Sequence, residues 1–337
     1  MHPDASAPPL RDFDTDFAPL FTPALQAVDV VRELSPEDFE RHYRRLGRPV
    51  IIEGLSADWP ALQRWTDLTH LQGAAGHRPV FARDLSAGSI DAGPYREVYR
   101  ELRFGEFAQE MFSDKPPPLY LTQALIDRGD GLAALLGRKL SPGWLPELAT
   151  DFTLPPYWPR RSLFEANLWM GPGGQVSGLH FDEFDNLNAP VHGCKRWILF
   201  PRDQTEKLLD GNWGLNSIGP GFHADAPNRF SGDRSRVRGY QCVTQPGQLL
   251  FVPAGMWHQV FSGPGLSLAL NFWYLQLPRD LGSTALHARR HTGFPARKRF
   301  PLALAAVLAQ LAWKASLYAL GQRPRPDVRV GVTRYGQ

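Results

Sequence analysis

The chain has 337 residues, of which 43% are hydrophobic and 21% charged, for a formal net charge of +3. That is the composition of an ordinary soluble globular protein, long enough to bury a sizeable core as one large domain or two. Two cysteines, Cys194 and Cys242, exclude a structural disulfide framework and fit reduced thiols in a cytoplasmic protein.

Thirty-one Pro and 31 Gly predict many turns and few long helices. Residues 1–23 read as a Pro-rich, polar, flexible arm, and MHPDASAPPLRDFDTDF lacks the apolar centre of a secretory signal. A flanking α/β region is expected over 24–115. In it Ser35 is the N-cap of a helix, with Pro36, Glu37 and Asp38 in the first turn and Gly47 as the stop. RPVIIEG follows as a strand and turn, then the aromatic turn DWPA with Trp65. Thr66 is expected to cap a second short helix ending near Gly73. A strand over 79–84 and a helix over 104–112 complete the region. After the break at Pro116, Pro117 and Pro118, LYLT resumes a strand and opens a β-rich core over 116–277.

Within that core, the short apolar runs 169–170, 197–200, 249–252 and 268–274, bounded by Gly, Pro and Asp, read as buried strands. Residues 211–239 form a long polar insertion of the size that serves as a lid or partner surface. Beyond Pro278 the chain becomes a basic helical extension, 278–337. From Gln276 onward eleven Lys/Arg stand against two Asp, a surplus of nine, so the remainder carries about −6. Residues 301–320 place Leu304, Val307, Leu308, Leu311, Ala315 and Tyr318 on one helical face. A packing or dimerisation helix is the first expectation, hence a homodimer. A membrane-surface helix ranks second, and a spanning helix last because Gln310 and Lys314 interrupt it. Nucleic-acid or membrane contact by the basic tail ranks below a plain solvated surface.

The stretch that organises the chain is SGLHFDEFDNLNAPVHGCKRWILFPRDQ. On a strand, His180 and Asp182 project to one side while Phe181 points into packing. One imidazole and one carboxylate on one face make two thirds of a facial metal site. The candidate for the remaining third is His258, in GQLLFVPAGMWHQVF. Two His and one carboxylate leave positions open on the metal, the arrangement of non-haem Fe(II) oxygenases. A His-x-Asp pair alone also arises by chance. The flanking strand-like runs raise its weight, since a β-barrel mouth is where such a site sits.

The segments HFDEFDN, GCKRWILFPRDQ, PGQLLFVPAGMWH and LNFWY, with RPVIIEG, DWPA and LYLTQ before them, resemble the Jumonji C (cupin-like) 2-oxoglutarate oxygenases. Within that superfamily they are most similar to the asparaginyl hydroxylase that inhibits hypoxia-inducible factor. The resemblance implies a mainly β fold: a double-stranded β-helix (jelly-roll, cupin-like) core with flanking α-helices and a C-terminal helical segment. It implies Fe(II), 2-oxoglutarate and O2 as cofactor and co-substrates, with His180, Asp182 and His258 as metal ligands. Lys195 takes the family position of the cation that holds the far carboxylate of 2-oxoglutarate. Tyr120, Ser177, Asn186 and Asn271 match the other co-substrate positions. Ser177 stands where the asparaginyl hydroxylase has a threonine. A Lys in an apolar strand needs a partner, because desolvating an unpaired charge costs several kcal/mol. The competing arrangement has Lys195 facing solvent and Arg196 pointing in.

Thr122, Gln123 and Trp273 fall near the substrate entrance in the resembled family. The asparaginyl hydroxylase grips its target with a glutamine at the position of Thr122, so a single hydroxyl replaces a carboxamide here. The implied activity is hydroxylation of a protein or peptide side chain, releasing succinate and CO2, with no catalytic group beyond the metal centre. The alternatives are the same chemistry on a small molecule or RNA nucleoside, and a non-catalytic cupin-like metal- or ligand-binding module.

Overall fold

A computed structural model describes residues 13–14, 24–85, 99–129, 143–182, 184–204, 208 and 237–275. The insertion expected at 211–239 (save 237–239), the extension with its 301–320 helix, and all of the N-terminal arm but Phe13 and Asp14 lie outside the described residues.

Five strands and four short helices build the flank. The strands are β1 (Gln26–Ala27), β2 (Asp29–Arg32), β3 (Val50–Glu53) and β4 (Pro79–Asp84), followed by β5 (Tyr99–Arg103) at the edge. The helices are α1 (Pro36–Asp38), which runs on as a π-helical turn over Phe39–Arg44, then α2 (Ala61–Arg64), α3 (Leu68–Ala75) and α4 (Phe104–Met111). Ser35 caps α1 as its sequence predicts, accepting from the Asp38 amide at 3.1 Å, and Gly47 takes a left-handed φ of 62° where the helix ends. Thr66 is not the cap of α3. The Asp67 side chain accepts from the Thr69 amide at 2.8 Å, whereas the Thr66 hydroxyl donates back to the Gln63 carbonyl and ends α2. Both residues cap well by type, and only the chain direction after Trp65 decides between them.

The core strands are β6 (Leu119–Asp127), β7 (Leu163–Gly173), β8 (Val176–Phe181), β9 (Asp185–His192), β10 (Lys195–Phe200), β11 (Tyr240–Thr244), β12 (Gln248–Val252), β13 (Trp257–Ser262) and β14 (Pro264–Tyr274). They form two sheets. One has five strands in the order β1-β11-β10-β13-β8, and the other has nine, in the order β2-β3-β12-β9-β14-β7-β6-β4-β5. The fold is therefore mainly β, with a two-sheet jelly-roll core, as the sequence leads one to expect. The chain passes from β1 at the edge of the smaller sheet directly into β2 at the edge of the larger. Val28, between them, joins the core that both sheets share.

Alternation sorts the side chains into three layers. Ile198, Phe200, Trp257 and Phe261 pack on the outer face of the smaller sheet, with Leu179 and Phe181. Trp197, Leu199, Leu250, Val252, Met256 and Val260 fill the space between the sheets. Leu268, Leu270, Phe272 and Tyr274 pack behind the larger sheet against the helical flank. Strands such as β14 are thus buried on both faces, which is why they read as unbroken apolar runs. Among the described residues no helix is long and apolar enough to cross a membrane.

A buried carboxylate ties the flank together. Asp151, 1% exposed, accepts from Arg64 (2.8 Å) and Trp65 Nε1 (2.9 Å) and meets His70 Nε2 at 2.8 Å. Burial pushes its pKa up, but these three partners together outweigh burial and hold the carboxyl below its ordinary value. Because the folded pKa is depressed, its contribution is present above the unfolded pKa and is lost as pH falls through the folded one. Asp151→Ala strands the buried Trp65 donor. It is expected to cost about 3 kcal/mol, read as a lower denaturation midpoint at pH 7, with the difference from wild type shrinking below pH 4.

Candidate metal centre

The site forms where β8 and β13 lie side by side. In their antiparallel pairing His180 stands directly opposite His258, and the two rings are 4.2 Å apart at their centroids. Asp182 follows β8 immediately. One potential ligand atom from each of His180, Asp182 and His258 lies within 4.8 Å of the others. The structure therefore brings together all three residues named from sequence.

The protons are placed by the backbone. His180 Nδ1 bonds the Gly178 carbonyl at 2.6 Å, and His258 Nδ1 bonds the Met256 carbonyl at 3.0 Å. A carbonyl only accepts, so each Nδ1 carries the hydrogen and each Nε2 presents a lone pair. His258, 3% exposed, is pushed well below its ordinary pKa, first by burial and then by the neighbouring His180, against the Met256 bond. His258 Nε2 then faces Asp182 Oδ2 at 3.8 Å, too far for a hydrogen bond. Acceptors from three side chains confront one another. Two imidazoles and a carboxylate in that arrangement fit a first-row divalent cation. Asp182 Oδ2 is steadied by Trp273 Nε1 (3.2 Å) and, more loosely, by Asn186 Nδ2 (3.4 Å).

Lys195 opens β10 and is 5% exposed. It faces into the barrel with Trp197 and Leu199, while Arg196 packs outward on Phe13 and donates to its carbonyl. The arrangement with Arg196 inside is thereby ruled out. Lys195 pairs across the strands with Ser262, and Nζ donates to Ser262 Oγ at 3.2 Å. Among the described residues no carboxylate balances it, and burial drives its pKa down to about 8, slightly opposed by Cys194. Leu199, four residues along the strand, is the cross-strand partner of His258. The backbone gap from Lys195 to the metal ligands is therefore about 13 Å.

Ser177 and His180 are three apart and would face opposite sides of a regular strand. A register shift between His258 and Val260 corrects this, so that Ser177 pairs with the inward Val260. Tyr120 is buried, with its ring 5.9 Å from Trp169. A Cβ on Gly171 would come within 2.7 Å of the Tyr120 ring and 2.6 Å of Gln175 Nε2, so only glycine admits both. Thr122 is half-buried. Gln123 is exposed at a left-handed φ of 49°, in the irregularity where β6 slips against β7.

Four participants were not visible in the sequence reading. Asn167, Asn271 and Asn188 stand in one cross-strand row over β7, β14 and β9, next to the row of Glu165, Trp273 and Asn186. Asn271 Oδ1 accepts from Trp169 Nε1 at 2.7 Å. Both side-chain polar atoms of Asn167, together with Asn271 Nδ2, Asn188 Oδ1 and Asn186 Oδ1, are buried without a hydrogen-bond partner among the described residues. Gln175 is likewise buried with both amide atoms unpartnered, and its carbonyl accepts from the Ser262 amide. Ser262 is the fourth, as the partner of Lys195. An amide inside an apolar run was the available signal for the asparagines. Each unmet group costs about 1–3 kcal/mol when left dry, so this interior is made for polar contents. At the rim, Phe164 stacks on Phe184 (4.5 Å between centroids), and Phe184 on Trp273 (5.9 Å).

The Cupin-like domain family model matches residues 36–280. The chain is 28% identical over 263 residues to Lysine-specific demethylase 8 of Xenopus tropicalis, covering 76% of this chain and 55% of that protein. It is 30% identical over 278 residues to Lysine-specific demethylase 8 of Danio rerio, covering 78% and 62%. It is also 28% identical over 258 residues to tRNA wybutosine-synthesizing protein 5 of Homo sapiens, covering 73% and 77%. The chain thus spans somewhat over half the length of these demethylases. Matched over most of its described core and carrying a His-Asp-His group where two strands of that core meet, the chain belongs to the cupin-like Jumonji C family, whose members use Fe(II) and 2-oxoglutarate.

Proposed function

We propose that the chain is an Fe(II)- and 2-oxoglutarate-dependent dioxygenase that hydroxylates a protein or peptide side chain in the cytoplasm and releases succinate and CO2. The observation that carries the reading is the convergence of His180 Nε2, His258 Nε2 and Asp182 Oδ2 as facing acceptors, with a buried, uncompensated Lys195 on the same interior surface. When bound, iron with 2-oxoglutarate and O2 supplies the oxidising chemistry, which side chains alone lack.

The protein's own part is geometry and charge. The Gly178 and Met256 carbonyls keep both imidazole protons away from the ion, so binding it displaces no proton from His258. Lys195, with Ser262, Tyr120 and Ser177, receives the far carboxylate of the co-substrate. Asn186 and Asn271 meet its polar atoms nearer the metal. Trp273 fixes Asp182 and forms one wall of the substrate entrance with Thr122 and Gln123. The finer likeness to the asparaginyl hydroxylase rests on the motifs alone. Thr122 offers one hydroxyl where that enzyme has a glutamine, so the target residue stays unspecified.

A second reading keeps the chemistry and changes the substrate to an RNA nucleoside. It is favoured by the fuller coverage of the wybutosine-synthesizing relative and by the stack of Phe164, Phe184 and Trp273, a flat surface of the kind that holds a planar group. The non-catalytic module is disfavoured, because all three ligands and the buried lysine are present. Mass spectrometry of peptides and of tRNA after incubation with the loaded protein separates the first two readings by which acquires oxygen.

Anaerobic addition of Fe(II) and 2-oxoglutarate is expected to give a weak visible charge-transfer band. His180→Ala, Asp182→Ala and His258→Ala should each abolish it together with succinate formation. A folded wild-type protein that gives no band refutes the reading. Lys195→Met should raise the 2-oxoglutarate requirement roughly 10- to 100-fold, the loss of one charge-assisted bond. Since burial holds Lys195 at about 8, below its ordinary value, it sheds its proton as pH rises past 8, and a dianion restores it. At pH 9, 2-oxoglutarate binding should therefore take up close to one proton, measured by calorimetry in buffers of different ionisation heat. No uptake would place the carboxylate elsewhere.

A further inference from the structure

We infer that Asp185, held from outside the barrel by Arg44, is a positioning residue that sets the orientation of His258. The inference rests on reading the His-Asp-His group as a metal centre. Asp185 opens β9 three residues after Asp182, and it is fully buried. Neither of its oxygens is free for the metal. Oδ1 accepts from the Ala254 amide at 2.9 Å, and Oδ2 accepts from Arg44 Nε at 3.0 Å. Arg44 ends the π-helical turn of the flank. Its side chain is nearly buried, donates to Glu40 at 2.7 Å and lies 5.8 Å from the centre of the Trp158 ring.

The Ala254 amide belongs to the turn over 253–256 that leads into β13. Three further bonds complete that turn. The Gly255 amide donates to the Asp182 carbonyl (2.8 Å), the Met256 amide to the Pro253 carbonyl (3.0 Å), and His258 Nδ1 to the Met256 carbonyl (3.0 Å). A continuous path of short bonds therefore runs from Arg44 through the Asp185 carboxylate and the turn to the ring nitrogen that fixes the His258 tautomer. The same turn grips the backbone of Asp182, so two of the three ligands are referenced to it. Without the Asp185 acceptor, the Ala254 amide is unpartnered, the turn is held at one end only, and the Met256 carbonyl is no longer fixed in direction. Second-sphere contacts of this kind orient first-sphere ligands.

The decisive comparison uses two variants that both remove the ion pair and differ in the acceptor. Arg44→Met/Asp185→Asn keeps an oxygen for the Ala254 amide, and Arg44→Met/Asp185→Leu does not. The probe is Co(II), added anaerobically without co-substrate, with the dissociation constant from calorimetry and the visible d–d spectrum as a second readout. Thermal unfolding reports the stability of each variant. The Leu variant is expected to bind Co(II) about 10- to 100-fold more weakly than wild type and with an altered spectrum. The Asn variant should stay close to wild type in both, although the two variants lose similar stability. Equal Co(II) affinity and spectra in the two variants, whether both native or both weakened, overturn the inference. Failure of the wild-type chain to bind Co(II) overturns instead the metal reading beneath it.

Discussion

Two hydrogen bonds of the same kind govern this molecule: each metal-site histidine gives its Nδ1 proton to the backbone carbonyl two residues before it. The consequence is electrostatic. Both Nε2 lone pairs and the Asp182 carboxylate are turned toward one another inside the barrel, with the carboxylate steadied from the side by Trp273 and Asn186. Crowding buried acceptors together is costly, and a cation among them offsets that cost. Nearly every feature near the site serves that convergence. Strand pairing sets His180 opposite His258, the register shift beside it brings Ser177 to the inner face, and the turn over 253–256 fixes the Met256 carbonyl.

The interior is polar in a patterned way. Trp197, Leu199, Leu250, Val252 and Val260 form an apolar lining, and set into it are one lysine and a row of carboxamides. Burial works against the charged form of a lysine so placed. On the proposed function, its counterpart is the far carboxylate of the co-substrate. The amides carry donors and acceptors together, so they accommodate a ligand that is charged at its ends and varied along its length. Lys195 and His258 stand near the two ends of one β10–β13 ladder, which sets the span such a ligand would bridge.

The N-terminal flank is part of the same machine. β2 and β3 extend the sheet that holds β9 and β12, and β4 to β6 extend its other side. Asp151 binds α2 and α3 to the turn between β6 and β7, and Arg44 reaches from the π-helical turn to the first residue of β9. Tyr157 and Trp158 pack on Phe39 and Tyr274, so the flank presses on the back of the strand that carries Asn271 and Trp273. A barrel whose larger sheet rests on helices can keep its other face open for a ligand.

The sequence by itself determined the local features. Period-two spacing put His180 and Asp182 on one face, Ser35 and Gly47 marked a helix, and the apolar runs with their Gly and Pro boundaries marked strands. These depend only on neighbours a few residues away. Tertiary structure decided what depends on pairing between distant segments. The cross-strand row of Asn167, Asn271 and Asn188 exists only once β7, β14 and β9 are in register. Gln175 and Ser262 gain meaning only beside Tyr120 and Lys195. Asp185 looked like one more acid in HFDEFDN until Arg44 and Ala254, 141 and 69 residues away, came to its two oxygens. Strands buried on both faces lose the alternation that would reveal which side chains point inward, and a one-residue bulge reverses that assignment without leaving any mark in composition.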